Sequence, residues 1–282
     1  DNMAGEIGDG TTESRTVATT AAIGIGRTAL SISVSYSHSC AVLDDFSIKC
    51  WGYNYNGQIG DGTSGFGNDR STPTLVQNLG VGRIARSVAA GRSHTCAILD
   101  DRSVKCWGAV PPSLEKSLTP NTLTVGVGRY AEKISVGQGH SCAVLDDGSM
   151  KCVGSNYQGQ LGDGTTTDRA IATTVLISAE RSALDVSVGW ASTCAVLDDM
   201  SLVCWGEFLG LQALWSKSTT PLNIDLGSGR TVLSLMPPLS PSTEATNITS
   251  NSSATTPTSD ASRSLRSYVS LAVVCVTFML AY

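Results

Sequence analysis

HSCAVLDDFSIKCWG, from His38 to Gly52, decides the fold. The apolar residues Ala41, Val42 and Leu43 run into Asp44 and Asp45, and a short alternating stretch then returns to a second cysteine. The same words recur three times, as HTCAILDDRSVKCWG from His94, HSCAVLDDGSMKCVG from His140 and STCAVLDDMSLVCWG from Ser192. An internal repeat of this kind has to be read before any local assignment. In the third copy Gly148 follows the aspartate pair, which is turn chemistry with glycine where a positive φ is needed. Each copy therefore reads as a β-hairpin. With its tip at Asp45, Cys40 falls opposite Cys50, and opposed residues of an antiparallel pair lie within or near the span of a disulfide. The pairs are Cys40 with Cys50, Cys96 with Cys106, Cys142 with Cys152, and Cys194 with Cys204. Two rival readings of the spacing remain. A helical Cys-x9-Cys hairpin would be broken by the turn residues midway between the cysteines, and a zinc site lacks any Cys-x2-Cys or Cys/His cluster.

Upstream of each hairpin stands a second phrase: IGIGRTALSISVS from Ile23, LGVGRIARSVAAG from Leu79, VGVGRYAEKISVG from Val125 and LISAERSALDVSVG from Leu176. A fifth copy, LGSGRTVLSL from Leu226, has no hairpin after it. The unit recurs at roughly 50-residue intervals, the length of one four-stranded propeller blade. Downstream comes NYNGQIGDGT from Asn54 and NYQGQLGDGT from Asn156, with NMAGEIGDGT from Asn2 at the start of the chain.

Together these phrases closely resemble the regulator of chromosome condensation repeat family, over residues 1 to about 235. The resemblance implies a β-propeller; with the cysteine pairs and the chain's opening in mid-unit, the expected fold is all-β, with four recognisable disulfide-stapled blades, partial blades at both ends and an N-terminal truncation, followed by a disordered stalk. The chain departs from the family pattern in places. Units two and four carry AVPPSLEK and EFLGLQALW where the Gly-Gln-Leu-Gly-Asp-Gly segment belongs. Unit three has Val153 in place of tryptophan, and unit four has Ser192 in place of histidine. The cysteine pairs are additions to the pattern and mark a secreted variation of it, because thiols in the cytosol or nucleus are kept reduced.

The 282 residues include 29 glycines, 9 cysteines and 6% aromatics, with 15% charged residues and a formal net charge of −5. No basic run tracks phosphates, so nucleic acid is excluded as a partner. From 237 to 262 the chain holds 13 Ser/Thr and 4 Pro, with sequons at Asn247 and Asn251, which reads as a glycosylated disordered stalk after a propeller domain of residues 1–236. Residues 263–282 are an apolar C-terminal segment that includes Cys275. Its apolar stretch is short for a bilayer span, and no basic flank follows it to stop transfer. The small residues Ser259, Asp260 and Ala261 ahead of it fit attachment of a glycosylphosphatidylinositol anchor, with a retained hydrophobic tail as the alternative. The expected location is extracellular or at the cell surface.

His38, His94 and His140 recur at equivalent positions and read as structural groups bonding nearby backbone, not as a metal site. The aspartate pairs 44/45, 100/101, 146/147 and 198/199 read as solvated turns rather than glycosidase dyads. Gly60-Asp61-Gly62-Thr63 and its copy at Gly162 lack the alternating ligands of a calcium loop, and the Gly-x-Gly-Arg phrases lack the helix of a nucleotide site. Trp51, Trp107 and Trp205 are expected to pack between blades, and Trp190 is the candidate exposed contact. No catalytic residue, cofactor or metal is implied. The reading is a non-catalytic binding module for a protein or glycan. The alternatives that the resemblance suggests are guanine-nucleotide exchange on a small GTPase, or inhibition of an enzyme.

Overall fold

The computed structural model describes residues 1–110, 115–209 and 215–225. The stalk and C-terminal segment lie outside this set, with Asn247, Asn251, Ser259, Asp260, Ala261 and Cys275, as does the phrase from Leu226. Among the described residues there is no helix, only four antiparallel four-stranded sheets, each in sequence order. Blade one comprises β1 (Ala29–Val34), β2 (His38–Leu43), β3 (Ile48–Gly52) and β4 (Arg70–Leu75). Blade two holds β5 (Ala85–Ala90), β6 (His94–Leu99), β7 (Val104–Ala109) and β8 (Lys116–Leu123). Blade three holds β9 (Ala131–Val136), β10 (His140–Leu145), β11 (Met150–Gly154) and β12 (Arg169–Thr174). Blade four holds β13 (Ala183–Val188), β14 (Ser192–Leu197), β15 (Leu202–Leu209) and β16 (Trp215–Asn223). First strands of successive blades pack side by side, so they form the inner wall of the arc.

The hairpins have the register that their turn dictates. Cys40 faces Cys50, Ala41 faces Lys49 and Val42 faces Ile48, with the same pairing in the other three blades. Four disulfides result, each with Cα atoms 4.1 Å apart. Their sulfurs point sideways into the blade boundaries. Cys40 and Cys50 pack with Ala97, Leu99 and Trp107 of blade two, and Cys142 and Cys152 with Ala195, Leu197 and Trp205 of blade four. The staples of blades one, two and three thus also serve as core for the next interface.

Tips are closed by ion pairs. Arg27 reaches Asp44 and Asp45, Arg83 reaches Asp100 and Asp101, and Arg129 and Arg181 repeat this in blades three and four. The second aspartate of each pair also accepts from the backbone and hydroxyl of the serine two residues on. These hydrogen bonds, led by the serine hydroxyl, hold Asp45, Asp101, Asp147 and Asp199 below the ordinary carboxylate range. The Gly-x-Gly-Arg phrases are therefore turns that deliver the arginine. The aspartates are turn residues, as expected, each pair clamped by an arginine.

Neighbouring blades are locked by one repeated carbonyl. Trp107 Nε1 and Thr95 Oγ1 both donate to Gln58 O, at 2.9 and 2.8 Å. Trp205 and Thr193 do the same with Gln160 O, and Trp51 and Ser39 with Glu6 O. Residues 1–23 thereby stand against blade one as a blade loop does, without forming a strand. The tryptophan needs the Gly-Gln-x-Gly loop of the preceding unit. Unit two lacks that loop, and unit three accordingly has Val153. Gly60 (φ 76°) lets the loop touch the ring, since a Cβ there would stand 2.7 Å from Trp107 Nε1.

A testable consequence concerns this lock. Trp107→Ala removes a fully buried ring and one of the donors to Gln58 O, and is expected to cost about 3–5 kcal/mol. Val153→Ala at the equivalent place is expected to cost no more than about 2 kcal/mol. Denaturant midpoints of the two variants check the difference, and equal losses would refute the lock.

Candidate functional site

The turns joining first to second strands, and the loops joining third to fourth, lie at the end of the blades opposite the Arg–Asp clamps. The four inner turns place one side chain each at the same repeat position, two residues ahead of the histidine or its replacement: Tyr36, Arg92, Gln138 and Trp190. All four line one open depression of about 790 Å³, together with Tyr53, Tyr157 and others. The turns approach closely because of glycine. A Cβ on Gly91 would lie 2.2 Å from Gly137 O, and one on Gly137 2.2 Å from Gly189 O. Backbone bonds join the turns in series, Arg92 N donating to Gly137 O at 3.1 Å and Gln138 N to Gly189 O at 3.4 Å.

Arg92 is the centre of the group. Its guanidinium carbon lies 4.7 Å from the Trp190 ring centroid and 5.5 Å from that of Tyr36, which is cation–π range. Both rings are exposed, Trp190 at 56% and Tyr36 at 82%, so they remain available to a partner. Among the described residues no carboxylate pairs with Arg92. The acids at the rim are occupied with backbone: Asp69 Oδ1 accepts from Asn54 N at 2.8 Å and Glu6 Oε2 from Ala4 N at 2.9 Å. Over blade one the aromatic surface continues outward, with Tyr55 against Tyr53, Phe66 and the Lys116 ammonium.

The three histidines are not part of this surface. They are fully buried, and each meets a hydroxyl of the following blade: His38 with Thr95 at 2.8 Å, His94 with Ser141 at 2.7 Å, and His140 with Thr193 at 2.8 Å. The threonine hydroxyl hydrogens are spent on the loop carbonyls, so Nε2 of His38 and His140 carries the proton and donates. Sequence reasoning expected nearby backbone as the partner. The Nε2 partner lies instead across a blade boundary, where local spacing carries no information, while Nδ1 of His38 also meets the nearby Ser35 hydroxyl at 2.9 Å. Burial lowers His38 and His140 to about 3 and His94 to about 4. Among the described residues no group of three His, Cys, Asp or Glu is arranged to hold a metal ion. The Gly-Asp-Gly-Thr loops hold their own aspartates. Asp61 takes Thr63 and Arg70, and Asp163 takes Thr165 and Arg169.

Trp190 was legible in advance because it departs from the repeat. Arg92, Tyr36 and Gln138 were not singled out, although they share its repeat position. The signal that would have found them is internal: this one turn position takes four different chemistries while its neighbours repeat.

Known proteins agree with this architecture. The sequence profile described as the regulator of chromosome condensation (RCC1) repeat matches residues 50–98, and a second profile of the same description matches 30–58 and 131–160. The ultraviolet-B receptor UVR8 of Arabidopsis thaliana is 26% identical over 182 residues, covering 62% of this chain and 40% of the receptor. The E3 ubiquitin-protein ligase MYCBP2 of Danio rerio is 33% identical over 81 residues, 29% of this chain and 2% of the ligase. The chain thus spans well under two thirds of the relatives it matches. Human WBSCR16 superposes with a TM-score of 0.69 at 16% identity, covering 79% of this chain and 61% of that one. Yeast RCC1 (Prp20), solved with Kap60 bound, gives 0.60 at 20% identity, covering 71% of this chain and 50% of its own. The repeat profiles, with a blade topology and superpositions that agree on the fold, show that the chain carries regulator of chromosome condensation repeats, in a variant that closes each hairpin with a disulfide.

Proposed function

We propose that the protein is a non-catalytic binding module, displayed at a cell surface or secreted, that docks a protein partner on the face formed by the inner turns. The observation that carries this reading is the convergence of Tyr36, Arg92, Gln138 and Trp190 on one depression, with Arg92 in cation–π range of two exposed rings. Tyr, Trp and Arg are the side chains in which binding energy concentrates at protein interfaces. Four buried disulfides support an oxidising compartment. The C-terminal segment supports attachment through a glycosylphosphatidylinositol anchor.

The test uses the full chain expressed on cells, carrying a photo-cross-linking phenylalanine at Tyr36 or, on the opposite face, at Val127. Covalent protein adducts are expected from the Tyr36 position, to be lost with Trp190→Ala, and phosphatidylinositol-specific phospholipase is expected to release the protein. Adducts formed only from Val127, or indifferent to Trp190→Ala, would overturn the docking face. Accelerated release of labelled GDP from a small GTPase would replace the reading by an exchange activity.

A further inference from the structure

We infer that the depression is a carboxylate site, and that its occupant is an acidic side chain on a projecting loop of the protein partner. This rests on the docking-face reading and sharpens it. Two features of opposite sense define the site.

The first is a donor. With Trp190 and Tyr36 in cation–π range of its guanidinium, Arg92 still has N–H groups to offer a ligand, since no carboxylate among the described residues pairs with it. A guanidinium is a planar, weakly hydrated fork, which matches a carboxylate bidentately. The second is an acceptor. Gln138 Oε1 is buried in the wall of the same depression and has no hydrogen-bond partner. A buried orphan of this kind costs about 1–3 kcal/mol and is relieved by an arriving N–H or O–H.

A ligand that satisfies both offers a carboxylate with an N–H a few bonds away. An aspartate or glutamate within a polypeptide has that arrangement, its own backbone amide being the donor. The rim argues for a single negative group over a polyanion. Glu6 and Asp69 stand beside the depression and the whole chain carries a net charge of −5, so a string of phosphates or sulfates would be repelled.

The probe is N-acetyl-aspartate N-methylamide, titrated into the disulfide-intact full chain labelled with 15N at tryptophan. The readout is the Trp190 indole N–H resonance, identified with Trp190→Phe, and affinity in about the millimolar range is expected for so small a ligand. The asparagine counterpart is expected to bind at least about tenfold more weakly, as is the acidic probe to Arg92→Gln. Arg92→Lys is not expected to restore binding, because an ammonium lacks the planar fork. Unshifted Trp51, Trp107 and Trp205 resonances show that each variant is folded. D-Glucuronate, which has the carboxylate without the amide, is expected to bind more weakly than the peptide probe. Equal binding of the acidic and neutral probes, or binding indifferent to Arg92→Gln, overturns the carboxylate inference while the cross-linking result at Tyr36 stands. Glucuronate binding more tightly than the peptide probe overturns the protein loop as occupant in favour of an acidic sugar.

Discussion

Reduction of the four disulfides is expected to unfold the propeller at 25 °C. Each bridge closes a loop with a sequence separation of 10. By chain entropy such a loop contributes about 2–3 kcal/mol, so that four together supply about 10 kcal/mol. That is comparable with the whole stability of an ordinary domain, about 5–15 kcal/mol. The propeller has little to replace it with, because aromatics are 6% of the chain and 29 of its 282 residues are glycine. All eight cysteines are 0–2% exposed, so reductant reaches them only after local opening and the effect appears slowly without denaturant. The loss should also be divisible. Cys96→Ala with Cys106→Ala removes one bridge and is expected to lower the unfolding free energy by about 2–3 kcal/mol, plus the packing that the sulfurs supply to Ala143 and Leu145 in the next blade. Intact mass after alkylation without reductant is expected to show none of these eight cysteines modified. Alkylation of all eight under native conditions, or an unchanged denaturant midpoint after complete reduction, would sink the stapled-blade account.

Acid is expected to destabilise the fold well above the usual carboxylate range. Burial holds His38 and His140 at about 3 and His94 at about 4, against an ordinary value of 6.5. Below about pH 6.5 the unfolded chain binds three protons that the folded chain refuses, so stability is fully present above that pH and is lost as pH falls towards 4. At pH 5 each histidine costs about 2 kcal/mol, or about 6 kcal/mol for the three. Asp185 works in the other direction. Burial on β13, with Oδ2 unpartnered, raises it to about 6, so the folded state takes up a proton between pH 6 and 4. This offsets about 1 kcal/mol at pH 5, leaving a net loss of about 5 kcal/mol. Denaturant midpoints between pH 7.5 and 4.5 check the slope. Asp185→Asn is expected to raise stability at pH 7 and to steepen the acid loss. A midpoint that stays flat between pH 6.5 and 5 would show that the histidines are not held neutral.

The hairpins were readable because everything that sets them is local. A turn at Asp44 and Asp45 fixes the register, strand alternation fixes the face, and the two cysteines stand a few residues apart on either side. Those features yield the sheet and the disulfide partners without knowledge of the neighbouring blade. The blade boundaries were readable only in part. Trp107 was expected between blades, but its meeting with Gln58 O, and the matching absence of loop and indole at Val153, depend on residues in successive units. The histidines show the same limit, the hydroxyl partners of their Nε2 atoms lying 47 to 57 residues away.

By itself the sequence determined the repeat, the blade unit, the cysteine pairing and the kinship of the repeats, since each follows from short spacings and from words that recur. The tertiary structure alone decided which side chains share a surface. Tyr36, Arg92, Gln138 and Trp190 come from four different blades, and only the rotation from one blade to the next, with Gly91 and Gly137 letting the turns close on one another, brings them around one depression. Strand period and turn chemistry act over a few residues, whereas that convergence is set by how whole blades pack about the inner wall.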